Sequence, residues 1–90
     1  MNRYIIEREV PKIGSFNAQQ LQGASAKSCE ALNKIGPQVQ WIESFVTDDK
    51  TFCHYLAKDE AAIRKHSELS GFPANRITQV RAMIDPVTAG

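Results

Sequence analysis

FCHYLAKDEAAIRKHSELSGFP, Phe52 to Pro73, carries a strand and a helix back to back. Its start belongs to a strand predicted over Thr51 to Ala57, which is short, β-branched and aromatic, and carries Cys53 and His54. Its second half is a helix. Asp59 supplies an N-cap, Glu60 favours the positive end of the helix dipole, and Ala62, Ile63, His66, Leu69 and Ser70 share one helical face. Gly71 provides the left-handed residue that ends the helix, Phe72 can fold back on the last turn, and Pro73 forbids continuation.

Immediately upstream, Gln38 to Val46 reads as a strand, and Thr47-Asp48-Asp49-Lys50 as a tight turn into the strand that follows. Counting outward from Asp48 and Asp49 sets Phe45 opposite Phe52, Ser44 opposite Cys53, Glu43 opposite His54, Ile42 opposite Tyr55 and Trp41 opposite Leu56. One face then bears Ile42, Ser44, Val46, Cys53, Tyr55 and Ala57, which suits close packing by a helix. The other bears Trp41, Glu43, Phe45, Phe52, His54 and Leu56, a carboxylate and an imidazole among large apolar groups.

Further out, Arg3 to Val10 is a first strand, with Tyr4, Ile6 and Arg8 on one side and Ile5, Glu7 and Glu9 on the other. From Asn17 to Ile35 the period changes: Leu21, Ala24 or Ser25, Ser28, Leu32 and Ile35 recur at helical spacing, and Asn17 with Gln20 has capping-box spacing. Cys29 is expected to pack between this helix and the sheet. Gly23 costs roughly 1 kcal/mol inside a helix, which points to an irregularity or a close approach. A last strand is predicted over Arg76 to Ile84, with Ile77, Gln79, Arg81 and Met83 on one face, and a loose tail after Asp85-Pro86.

The order strand, helix, strand, strand, helix, strand gives an α+β, ferredoxin-like βαββαβ sandwich over residues 1–90, a single domain. Its four antiparallel strands take the order 4-1-3-2, with both helices on one face. The uncovered face is expected to carry Trp41, Phe45, Phe52, Leu56, Ile77 and Met83, and the physical remedy for so apolar a surface is a homodimer formed through the open sheet face.

Composition narrows the partners. Eleven basic residues stand against ten acidic ones, spread along the chain without a basic stripe, so nucleic acid is not an expected partner. No apolar run approaches the length of a membrane span or signal core, and the expectation is a cytoplasmic protein with no membrane partner. Cys29 and Cys53 form neither a disulfide framework nor a zinc spacing. Walker and dinucleotide glycine patterns are absent, so no nucleotide cofactor is expected.

Two places concentrate chemistry. Glu43 and His54, opposite each other on the open face, are donors suited to nickel, zinc, copper or iron, and Glu7 or Glu9 can approach them from the first strand. The alternative there is a hydrogen-bonded or ion-paired contact at a dimer seam. His66 reads either as a core-edge histidine or as a base or metal ligand in a pocket between helix and sheet. Cys53 and Tyr55 lie beneath it, and Arg8 is available as an anion contact if its strand face turns that way. On the second reading the catalytic candidates are Cys53, Tyr55 and His66, in a small-ligand binder or a cofactor-free enzyme. A structural dimer without chemistry is the third reading.

The YIIER opening, the middle WIESFV, CHYLA with Glu60 and Ala61, His66 before the Gly71-Phe72-Pro73 corner, Ile77 and the closing Asp85-Pro86 together resemble the DUF4242 family of small proteins, sometimes called nickel-binding. The resemblance covers nearly all ninety residues and is most specific from Trp41 through Pro73. It implies a ferredoxin-like domain that dimerises through its sheet, and binding of nickel or another divalent transition metal.

Overall fold

The computed structural model describes every residue from Met1 to Gly90. The strands are β1 (Asn2–Glu9), β2 (Val39–Val46), β3 (Lys50–Ala57) and β4 (Arg76–Gln79); the helices are α1 (Ala18–Ile35) and α2 (Glu60–Ser70). A 3-10 turn over Ile13–Ser15 links β1 to α1, and another closes the chain at Pro86–Ala89. The sheet is antiparallel in the order β2-β3-β1-β4, the expected 4-1-3-2 read from the other edge. No helix is long and apolar enough to cross a membrane.

Local chemistry accounts for the helix ends. Asn17 and Gln20 form a reciprocal capping box at α1, each side chain accepting from the other's backbone N–H. Asp59 accepts from Ala62 N at 2.9 Å to start α2, and Gly71, at φ 78°, ends it in the left-handed conformation only glycine adopts cheaply.

Alternation along β1 and β3 sends Tyr4, Ile6, Arg8, Cys53, Tyr55 and Ala57 toward the helices, where all six are buried. They meet Ala62 and Ile63 of α2 and Val39 of β2, with Leu32 and Ile35 of α1 packed alongside. The other face presents Arg3, Ile5, Glu7, Phe52, His54 and Leu56.

The hairpin follows the counted register only in part. Thr47 N donates to Lys50 O at 2.9 Å, closing the Asp48-Asp49 turn, and Phe45, Ser44 and Glu43 pair with Phe52, Cys53 and His54. A β-bulge then shifts the ladder, so Trp41 pairs with Tyr55 rather than Leu56. The extra residue, Ile42, is exposed, and Trp41 moves to the helix side, where its indole N–H donates to Ser44 Oγ at 2.8 Å.

The last strand is also corrected. It stops at Gln79, and its register pairs Ile77 with Ile6, which places Ile77 against the core rather than on the open face. Met83 lies beyond the sheet. The tail is not loose throughout: Asp85 Oδ1 accepts from the N–H groups of Val87 and Thr88 and caps the terminal 3-10 turn. Cys29 and Leu69, assigned to packed faces, are exposed, the latter at 42%. Gly23 has open space around it in a regular helix. The close approach occurs at Gly14 instead, where a Cβ would lie 2.6 Å from Asp48 Cα, because Gly14 N donates to Asp48 O at the hairpin turn.

Candidate functional site

The two faces of the sheet hold two separate polar groups. On the open face, His54 is only 8% exposed although no helix covers it. Its Nδ1 lies 3.7 Å from Glu43 Oε1, in ion-pair range but beyond hydrogen-bond length. Its Nε2 lies 2.8 Å from Arg3 Nη1. A guanidinium has no acceptor, so Nε2 must accept, and the ring is neutral with its proton on Nδ1, toward the carboxylate. The imidazole thus presents its lone pair to a cation while a carboxylate stands behind it.

Other acidic residues named from the sequence stay apart from this pair. Glu7 Oε2 is 3.8 Å from Arg76 Nε, and Glu9 is exposed and accepts from Asn75 Nδ2 at 3.5 Å. Nowhere do three His, Cys, Asp or Glu side chains gather as a metal site within the chain. His66 is on the opposite side of the sheet.

There, His66 projects from α2 into the layer beneath α1 and is 1% exposed. Arg8 Nη2 donates to its Nδ1 at 3.5 Å, which leaves the ring proton on Nε2 to be donated to Ser28 Oγ at 3.1 Å. Burial, with the positive charge of Arg8 beside it, lowers the His66 pKa from 6.5 to about 4. The Tyr55 ring lies 5.2 Å from the imidazole, and burial raises the pKa of its phenol above 10.0. Cys53 borders the same cavity, but its Sγ is 3.3 Å from Thr51 Oγ1, and it makes no hydrogen bond with His66.

Arg8 ties the corner together. Its Nη1 donates to Ser67 Oγ at 2.9 Å and to the carbonyls of Phe72 and Pro73 at 3.3 and 2.9 Å, so the chain beyond α2 is fixed by a buried cation from β1. Arg3 and Ser28 carry no chemical signal in the sequence by themselves. Arg3 follows from strand alternation, since its place opposite Leu56 puts it beside His54 on the open face. Ser28 sits on the predicted stripe of α1, where a serine reads as a small packing residue until its facing partner is known.

A four-stranded antiparallel sheet with both helices on one face is the ferredoxin-like class of α+β fold. Within that class, the chain belongs to the family described as nickel responsive protein SCO4226-like, whose profile matches residues 4–80. Its fold is similar to the crystal structure of SCO4226 from Streptomyces coelicolor A3(2), with a TM-score of 0.76 and 13% identity, over 91% of this chain and 99% of that one. At that identity the likeness shows the fold alone. No curated protein matches the chain.

A nickel ion fits the donor chemistry of the open face in kind but not in number. An imidazole nitrogen is well matched to nickel, yet one chain brings only His54 and Glu43 together, and Arg3 occupies the lone pair. A single copy therefore does not fit the ion by itself.

Proposed function

We propose that the chain serves a transition-metal response, with nickel as the first candidate, as a homodimer closed over its open sheet faces. The observation that carries this reading is the orientation of His54: a nearly buried, neutral imidazole whose Nε2 lone pair is directed at a positive charge, with Glu43 on its Nδ1 side. Metal-binding histidines commonly donate their other ring N–H to a carboxylate, and a small closing movement of Glu43 from 3.7 Å would complete that bond here. Two copies facing each other would supply two such imidazoles, each backed by a carboxylate, with water completing the coordination that one chain lacks. The resemblance of YIIER, WIESFV and CHYLA to the DUF4242 family supports the same reading, as does the description of the family to which the chain belongs.

The dimer has its own physical support. Ile5, Phe52 and Leu56 are half-buried on the open face and Phe45 is 60% exposed, leaving an apolar centre with charged groups around it. Covering apolar area stabilises at about 25 cal/mol per Å², and a ninety-residue domain has a small core. With Trp41 and Ile77 turned to the helix side, the patch is smaller than the sequence pattern implies, so charge complementarity around His54 and Glu43 must share in the association.

Calorimetric titration with Ni²⁺, Zn²⁺ and Co²⁺ tests the metal reading through three variants. Wild type should bind at least one ion with Kd below ~100 µM, and His54→Ala should abolish the binding. Arg3→Ala should strengthen it by freeing Nε2. Undiminished binding in His54→Ala contradicts the assignment, and so does the absence of binding in both wild type and Arg3→Ala.

A further inference from the structure

On the helix side of the sheet lies a cavity of about 80 Å³ that the metal reading leaves unused. Its apolar lining includes Ile13, Leu21, Trp41, Val46 and Phe72; its polar lining includes Arg8, Ser28, Tyr55 and His66. These four are at least nine-tenths buried.

The polar end is unbalanced. Arg8, 3% exposed, is a permanent cation, yet none of the chain's ion pairs includes it, and its hydrogen bonds go to a hydroxyl, two carbonyls and a neutral ring nitrogen. A buried charge is costly unless paired, and the Tyr55 ring, 5.7 Å from the guanidinium carbon, compensates only in part. Ser28 Oγ accepts from His66 Nε2–H and its own hydroxyl lies beside the Tyr55 phenol, so the two O–H groups adjoin each other in the same lining. The cavity thus offers donors and a positive charge without a carboxylate, beside an apolar wall.

We propose that this cavity is a binding site for a small organic monocarboxylate, whose carboxylate meets Arg8, Ser28 and Tyr55 and whose aliphatic body lies against Leu21, Trp41 and Val46. The volume sets the class. A cavity of about 150 Å³ accommodates the six non-hydrogen atoms of benzene, so about 80 Å³ encloses little more than a carboxylate group, and the aliphatic body of a short-chain acid extends along the apolar wall toward the open side. Burial first, and the charge of Arg8 second, hold His66 neutral, so Arg8 is the one positive charge at this end of the cavity.

Trp41, the chain's one tryptophan, borders the cavity and reports on its contents. Butyrate added to the full chain should change Trp41 fluorescence saturably, with half-saturation below about 1 mM. Butyramide, alike in shape but uncharged, should bind at least ~10-fold more weakly, and Arg8→Gln should weaken butyrate by ~10- to 100-fold, the range for hydrogen bonds to charged groups. Ala24→Phe, at a half-buried position lining the cavity, fills the space without removing a polar group and should abolish the response even if Arg8→Gln fails to fold. A butyrate response absent up to ~10 mM, matched by butyramide, or unchanged in folded Ala24→Phe overturns the proposal.

Discussion

Arg8 and His66 meet 3.5 Å apart in the layer between helix and sheet, the guanidinium donating to Nδ1 of a ring that burial keeps neutral. The pair sets a pH dependence of stability. Unfolding returns His66 to a pKa of 6.5, against about 4 in the fold, so between these values the unfolded chain binds the extra proton. The stability linked to neutral His66 is therefore fully present above pH ~6.5 and lost as pH falls toward ~4, by an amount on the order of 3 kcal/mol. Urea unfolding at pH 7.0, 5.5 and 4.5 should show the midpoint falling, and His66→Gln should flatten that fall. An equally steep fall in a folded His66→Gln protein would place its origin elsewhere.

Gly14→Ala should destabilise the fold by about 1–3 kcal/mol. The added Cβ would meet backbone at Asp48 and Thr47, where the 3-10 turn crosses the hairpin, and neither neighbour is a flexible side-chain end. Thermal unfolding reads the effect; an unchanged midpoint would mean that the crossing is looser than described.

Gly23→Ala should act in the opposite direction. Its position in α1 is open to solvent, with nothing near the site of a Cβ. Alanine then adds about 0.5–1 kcal/mol of stability by reducing the freedom of the unfolded chain. A lower melting temperature in Gly23→Ala would reveal a contact on that surface, such as an interface between copies.

The cysteines should separate in reactivity. Cys29 stands exposed on the outer face of α1, whereas Cys53 is 5% exposed beneath the helices. A disulfide reagent such as DTNB should label one thiol in the native protein and the second only on unfolding. Two equally fast thiols would show that the Cys53 layer opens readily.

Much of the fold is legible because local signals agree with one another. Asn17 and Gln20, Asp59, and Gly71 before Phe72-Pro73 mark helix ends that their hydrogen bonds then fill, and Asp48-Asp49 fixes the register as far as Glu43 and His54. The bulge at Ile42 gives no such signal: Trp41-Ile42-Glu43 contains neither glycine nor proline, and a tryptophan suits either face. Ile77 lies on the helix side, not the open face that the sequence pattern predicts, because alternation within a strand fixes which residues share a side, not which side meets the helices; only its pairing with Ile6 settles that. At the candidate sites, the approach of Glu43 to His54 follows from counting. Arg3 against Nε2 and Ser28 against His66 depend on contacts between elements distant in sequence, which periodicity does not carry.

His54 Nε2 is proposed as a metal donor completed by a second copy of the chain. Anomalous diffraction at the nickel edge, from crystals of the protein grown with Ni²⁺, tests it most directly. The expected result is a peak within bonding distance of His54 Nε2, with Arg3 withdrawn and donors from two copies around the ion. A peak bound only by exposed groups away from His54, or none at His54 while Arg3 still donates to Nε2, would contradict it.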